Sequence, residues 1–94
     1  MEPKLVKELR EYYLTLSDTT RLRIMEQLAR HELTVSQIAR NLRTSQPLVS
    51  WHLHRLKQIG VVKMQKDGRQ VLCSLDHIRL AEYNRRFEAL IASQ

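Results

Sequence analysis

Residues 45–60, SQPLVSWHLHRLKQIG, read as one helix with both of its ends specified. Ser45 is an N-cap residue, whose side-chain oxygen takes up an orphan amide. Pro47 suits the first turn, where a missing N–H costs nothing. Gly60 is the stop signal just past the last turn. Val49, Leu53 and Leu56 recur at helical spacing, so they share a face that must pack on a core. At roughly 100° per residue the opposite face carries Pro47, Ser50, Trp51, His54 and Gln58, with Arg55 at its edge. Such a polar, aromatic face suits the edge of a base better than bare water.

The flanks of this helix narrow its setting. Upstream, Thr34 or Ser36 caps a short helix through Leu42, with Val35, Ile38, Ala39 and Leu42 inward. Arg43-Thr44-Ser45 is a tight link between the two. A helix-turn-helix has this shape, and so does a generic helical hairpin. Downstream, residues 61–66 (VVKMQK) and 69–75 (RQVLCSL) are strand-like and flank Asp67-Gly68, a strong hairpin signal. The hairpin tip carries Lys66, Arg69 and Gln70. A helix-turn-helix followed at once by a basic hairpin is a winged helix, in which the helix enters the major groove and the wing lies along the backbone or minor groove.

Further out, residues from Glu2 to Leu16 form an amphipathic helix with Pro3 near its start. Its stripe of Leu5, Val6, Leu9, Tyr12, Tyr13 and Leu16 is wide enough to pack on both its own domain and a partner. Lys7, Glu8, Arg10 and Glu11 face out. Ser17-Asp18-Thr19 offers caps for a second helix, Thr20 to Arg30, with Leu22, Ile24, Met25, Leu28 and Ala29 inward. Asp76 or Ser74 caps a last helix from about His77 to Ala92, burying Ile78, Ala81, Phe87, Leu90 and Ile91. The expected architecture is mainly α with a β-hairpin wing, in the order α-α-α-α-β-β-α. It forms a single winged-helix domain over residues 1–94. The terminal helices, about 2–16 and 77–92, are expected to form a dimer interface through Leu5, Val6, Leu9, Tyr12, Tyr13, Phe87, Leu90 and Ile91.

With 94 residues a lone core is marginal, and dimerisation would help it. No apolar run approaches the ~20 residues of a membrane span, and the charged N-terminus lacks the apolar core of a signal peptide, so a cytoplasmic location is expected. The net charge of +6 is unevenly placed. Residues 34–70 hold Arg40, Arg43, Arg55, Lys57, Lys63, Lys66 and Arg69 against Asp67 alone, while both flanks are balanced. Positive charge concentrated in this way releases counterions from a phosphate backbone, so a polyanion partner is expected.

The runs LSDTTRLRIMEQL, TVSQIARNL and SQPLVSWHLHRLKQIGVVKMQKDGRQVLCSL, covering roughly Leu16 to Leu75, resemble the ArsR/SmtB family of bacterial winged-helix repressors. SQPLVSWHL, the GVV start of the wing and the DGR turn carry most of the likeness. The resemblance implies a homodimer on a palindromic double-stranded DNA operator, repressing and often autoregulatory. It assigns base reading to Ser45, Gln46, Pro47, Ser50, Trp51 and His54. Phosphate and wing contacts fall to Arg43, Arg55, Lys57, Lys66, Arg69 and Gln70. Family members often have Arg or His where this chain has Trp51. Its ring either touches a thymine methyl or sugar, or leans on the neighbouring backbone. His52 is expected to pack or hydrogen-bond inside the fold.

Metal-sensing relatives carry cysteines in the helix before the reading helix; here that region holds Thr34 and Ser36 and no thiol. A second family site uses carboxylate and histidine ligands on the last helix. Asp76, His77 and Glu88 are present, but Ile91 replaces the partner of Glu88, which leaves too few donors for a closed tetrahedral site. Neither a metal nor a cofactor is expected. Asp76 reads as a cap and His77 as a surface residue, and His31 has no second ligand nearby. Cys73, the single cysteine, alternates with Val71 and Leu75 and reads as a buried structural thiol. There is no phosphate loop, nucleophile motif or carboxylate pair, so catalysis is not expected. The alternative function is the same scaffold gated by a ligand or metal at the dimer interface. A winged helix used only for protein–protein contact would spread its charge instead of concentrating it.

Overall fold

The chain runs α1 (Pro3–Leu16), α2 (Thr19–Leu28), β1 (Leu33–Thr34), α3 (Val35–Leu42), α4 (Gln46–Gln58), β2 (Val62–Asp67), β3 (Gln70–Leu75) and α5 (His77–Ala92). This computed structural model describes residues 3–94; Glu2, where the first helix is expected to begin, lies outside them. The strands form one antiparallel sheet in the order β1-β3-β2. The expected class, mainly α with a β wing, is the class observed.

Local chemistry sets the helix starts. Asp18, Thr34, Ser45 and Asp76 each accept a backbone N–H three residues on, as N-cap side chains do. Thr34 adds a capping box, because Gln37 Oε1 accepts the Thr34 amide at 2.9 Å. Helix α4 stops at Ile59, and Gly60 takes φ 84°, which only glycine adopts without strain.

The wing turn differs from expectation by one position. Asp67 pairs with Gln70 as the last rung, so the two-residue loop is Gly68-Arg69 and not Asp67-Gly68. Gly68, at φ 64°, supplies the positive φ that the first loop position requires. Strand β1 is absent from the sequence reading. It is only two residues long, too short to show a period, and exists because Leu33 and Thr34 pair with Cys73 and Leu72.

Ile24, Ile38, Val49, Leu53, Leu56, Val61 and Cys73 are fully buried and form the centre of the core. The expected inward faces of α3 and α4 hold, with Val35 and Leu42 only half-buried. The other helices depart from expectation, α2 and α5 most. In α2, Leu22 and Ala29 are exposed, Met25 is half-buried, and Arg21 is buried with Ile24 and Leu28. Leu22 and Arg21 are adjacent and cannot both face in; Arg21 does so because its donors find partners inside. In α5, Ile78, Ala81, Phe87 and Ile91 are exposed, Leu90 is half-buried, and Tyr83 is the residue that enters the core. Its ring stacks on Tyr12 at 4.0 Å and its hydroxyl donates to Ile59 O at 2.7 Å, which sets the rotation of α5.

Helix α1 buries Leu9 and Tyr12, half-buries Leu5 and Leu16, and exposes Val6, Tyr13 and Leu14. Glu8, expected to face out, is half-buried and pairs with Arg86 of α5 at 3.3 Å. The ring of Tyr13 meets that of Phe87 edge-on at 5.7 Å. The radius of gyration is 14.5 Å and the long axis 48 Å, against about 12 Å for a compact chain of this length. No helix among the described residues is long and apolar enough to cross a membrane.

Burial pushes the Cys73 thiol up to about 11 from 9.0. The folded chain therefore keeps this proton where the unfolded chain gives it up, so stability is intact below pH 9 and falls as pH rises towards 11. Tyr12, raised by burial and by Tyr13 and Tyr83, adds to the same trend at the upper end. Urea denaturation across this window is expected to show a decline of up to about 1.4 kcal/mol per pH unit, shallower in Cys73→Ala. Equal slopes in the two proteins would refute it.

Candidate nucleic-acid interface

Three elements meet at the start of α4. Arg43 ends α3 in the left-handed region (φ 54°, ψ 48°) and the Thr44 amide returns to Ala39 O at 3.0 Å, turning the chain sharply into Ser45. Ser45 Oγ accepts the Leu48 amide at 3.3 Å, and its O–H is left to donate to another acceptor. The opening of α4 carries the partial positive charge of a helix N-terminus.

Beside it lies a cleft of about 440 Å³ lined by Thr34, Val35 and Ser36 of α3 and its cap, Gln46, Pro47 and Ser50 of α4, and Arg69, Gln70 and Val71 of the wing. Residues far apart in sequence therefore converge. The expected readers Gln46, Pro47 and Ser50 face the expected wing residues Arg69 and Gln70 across one groove. Thr34, Val35, Ser36 and Val71 complete it and were not among the expected site residues. Thr34 and Ser36 were read in sequence only as alternative caps, and pairing of β1 with β3 brings them against the wing.

Trp51, His54 and Arg55 lie exposed on the outer face of α4, Trp51 by 54%. Arg43 and Lys66 are exposed at the turn and in the wing. Lys57 is also exposed but sits in the last turn of α4, about 15 Å along the axis from Pro47. It is separate from the cleft.

Behind the outer face is a buried polar link. Arg21 Nε donates to His52 Nδ1 at 3.1 Å and its Nη1 to Thr15 O at 3.1 Å, while its guanidinium carbon lies 5.2 Å from the centre of the Trp51 ring. His52 is 6% exposed, as expected of a residue inside the fold. Burial lowers its pKa, partly offset by Asp18, and the neutral ring leaves Nδ1 able to accept. The backbone N–H of Arg21 holds the Asp18 carboxyl below its usual range. Arg21 had no signal in the sequence, since an arginine on an amphipathic helix is ordinarily solvated.

Among the described residues no group of three or more His, Cys, Asp or Glu side chains is arranged to hold a metal ion. Asp76 caps α5 through the Arg79 amide at 2.9 Å, and His77 and His31 are exposed.

A helix-turn-helix with a hairpin wing, its second helix and wing sharing one groove, defines the winged helix-turn-helix class of regulators. The description of the bacterial regulatory protein family arsR matches residues 18–64, half of the sequence. The chain belongs to the ArsR family. It is similar to a transcriptional repressor SmtB homolog of Synechocystis sp., 38% identical over 69 residues, which is 73% of this chain and 52% of that protein. An ArsR-like transcriptional regulator from Rhodococcus sp. RHA1 superposes with a TM-score of 0.84 at 30% identity, covering 94% of this chain and 83% of the other. A homodimeric winged helix-turn-helix DNA-binding domain from Mycobacterium bovis shares the fold at a TM-score of 0.77 and 21% identity, over 96% and 82% of the two chains. The chain spans about half the length of the curated relatives it matches. These relatives are regulators of transcription and not enzymes.

Proposed function

We propose that this chain is a cytoplasmic, homodimeric, sequence-specific DNA-binding repressor acting on a palindromic operator. The observation that carries the reading is the groove where Gln46, Pro47 and Ser50 of α4 face Arg69 and Gln70 of the wing. Helix α4 lies in the major groove, and Gln46, Ser50, Trp51 and His54 select the bases, with Ser45 and Pro47 beside them on the same base-reading face. Arg43, Arg55, Lys57, Lys66, Arg69 and Gln70 hold the backbone, supplying most of the affinity and little of the specificity. The exposed apolar side chains of α1 and α5, Val6, Tyr13, Phe87 and Ile91 among them, support a twofold interface between them. Of the other residues assigned to that interface, Leu5 and Leu90 are half-buried and Leu9 and Tyr12 buried in the single chain. The homodimeric state of the Mycobacterium bovis domain, which has this fold, agrees with it. Two reading helices would then meet half-sites about one helical turn apart.

Titration of duplexes over a range of salt tests the division of labour. Arg69→Ala is expected to weaken binding to every duplex alike and reduce the salt slope by about one. Gln46→Ala or Ser50→Ala is expected to relax preference at one or two base pairs, by about 1–3 kcal/mol each, with the salt slope kept. Equal losses on preferred and random duplexes for all three would defeat the assignment.

A further inference from the structure

We infer that Arg21 is a positioning residue for the reading face: its guanidinium holds the Trp51 ring in one orientation and ties that ring, through His52, to the end of α1. The inference rests on the DNA-reading role proposed for α4.

Arg21 is 8% exposed, and a guanidinium in that setting is costly unless its donors are satisfied. Three attachments occupy it. Nε donates to His52 on α4, Nη1 donates to the Thr15 carbonyl in the last turn of α1, and the cation lies near the Trp51 ring. Trp51 also meets the His52 ring edge-on at 4.9 Å. One part of the indole is thus fixed against protein, and the remainder stays open on the face shared with His54 and Arg55. A ring already immobilised loses less freedom on meeting a duplex, so the contact it makes discriminates more sharply. The planar fork is essential, because a lysine ammonium cannot reach along two directions while stacking.

Trp51 is the one tryptophan in the chain, so its fluorescence reports this ring alone. Arg21→Lys keeps the charge and removes the fork. In the DNA-free protein it is expected to shift Trp51 emission to the red and increase acrylamide quenching. Preference for the tightest duplex that wild-type protein selects from a random pool, over unselected duplex, is expected to fall about tenfold, with affinity for unselected duplex and its salt slope unchanged. A merely structural arginine would lower both affinities together. Unchanged Trp51 emission and quenching overturn the inference whatever the duplex data show. If wild-type protein selects no preferred duplex, the DNA-reading role fails, and so does the inference that depends on it, even where the fluorescence shift is seen. Should Arg21→Lys not fold, nuclear magnetic resonance of the wild type decides. The Arg21 Nε–H should exchange slowly with water and change its shift in Trp51→Phe; a fast-exchanging, insensitive Nε–H overturns the inference.

Discussion

Phe87→Asp is expected to turn the protein into a monomer and to lower operator affinity by about 10²–10⁴-fold, the factor lost when a second binding event ceases to be intramolecular. Phe87 is 43% exposed in the single chain, edge-on to Tyr13, on the side of α5 turned away from the core. A carboxylate there is solvated in the monomer, so the subunit keeps its fold. In a twofold interface the same charge would be buried among apolar groups without a partner, at a cost no contact there offsets. Sedimentation and circular dichroism check the two halves. A variant that remains dimeric, or that binds operator like wild type, would remove α1 and α5 from the proposed interface.

The second large effect concerns the opposite face of α4. Leu53→Ala is expected to destabilise the domain by about 2–5 kcal/mol, because Leu53 is fully buried and a core relaxes only partially into the space left by a lost side chain. At about 4–8 °C per kcal/mol for a domain this small, the melting point should fall by about 8–40 °C. His54→Ala, the next residue along and exposed, should change stability by no more than about 0.5 kcal/mol while altering base preference. Thermal unfolding of the pair compares two sides of one helix. Similar small shifts in both would mean that α4 is not anchored through Leu53.

What the sequence revealed depended on how local its physics was. The reading helix, its Ser45 cap, its Gly60 stop and the apolar row of Val49, Leu53 and Leu56 each follow from neighbours within a turn or two. The wing was legible for the same reason, although its turn slipped by one residue because pairing of Asp67 with Gln70 is decided by register and not by the Asp-Gly pair alone. Arg21 against Leu22 was not legible. Which of two adjacent residues faces inward depended on a histidine 31 positions away and on a carbonyl of α1. The rotation of α5 was hidden likewise, since an apolar periodicity cannot show that Tyr83, and not Phe87 or Ile91, meets Tyr12. Half of the cleft was readable from α4 and the wing tip. The other half, from Thr34 to Ser36, required a two-residue strand that no pattern announces.

The order β1-β3-β2 leaves β2 as an open edge, with Lys63, Gln65 and Lys66 exposed along it. A strand from another molecule laid beside β2 would strip water from two ammonium groups, and a lysine-bearing edge resists that approach. The charges suited to a polyanion therefore also discourage the wing from templating aggregates, which leaves self-association to the helices.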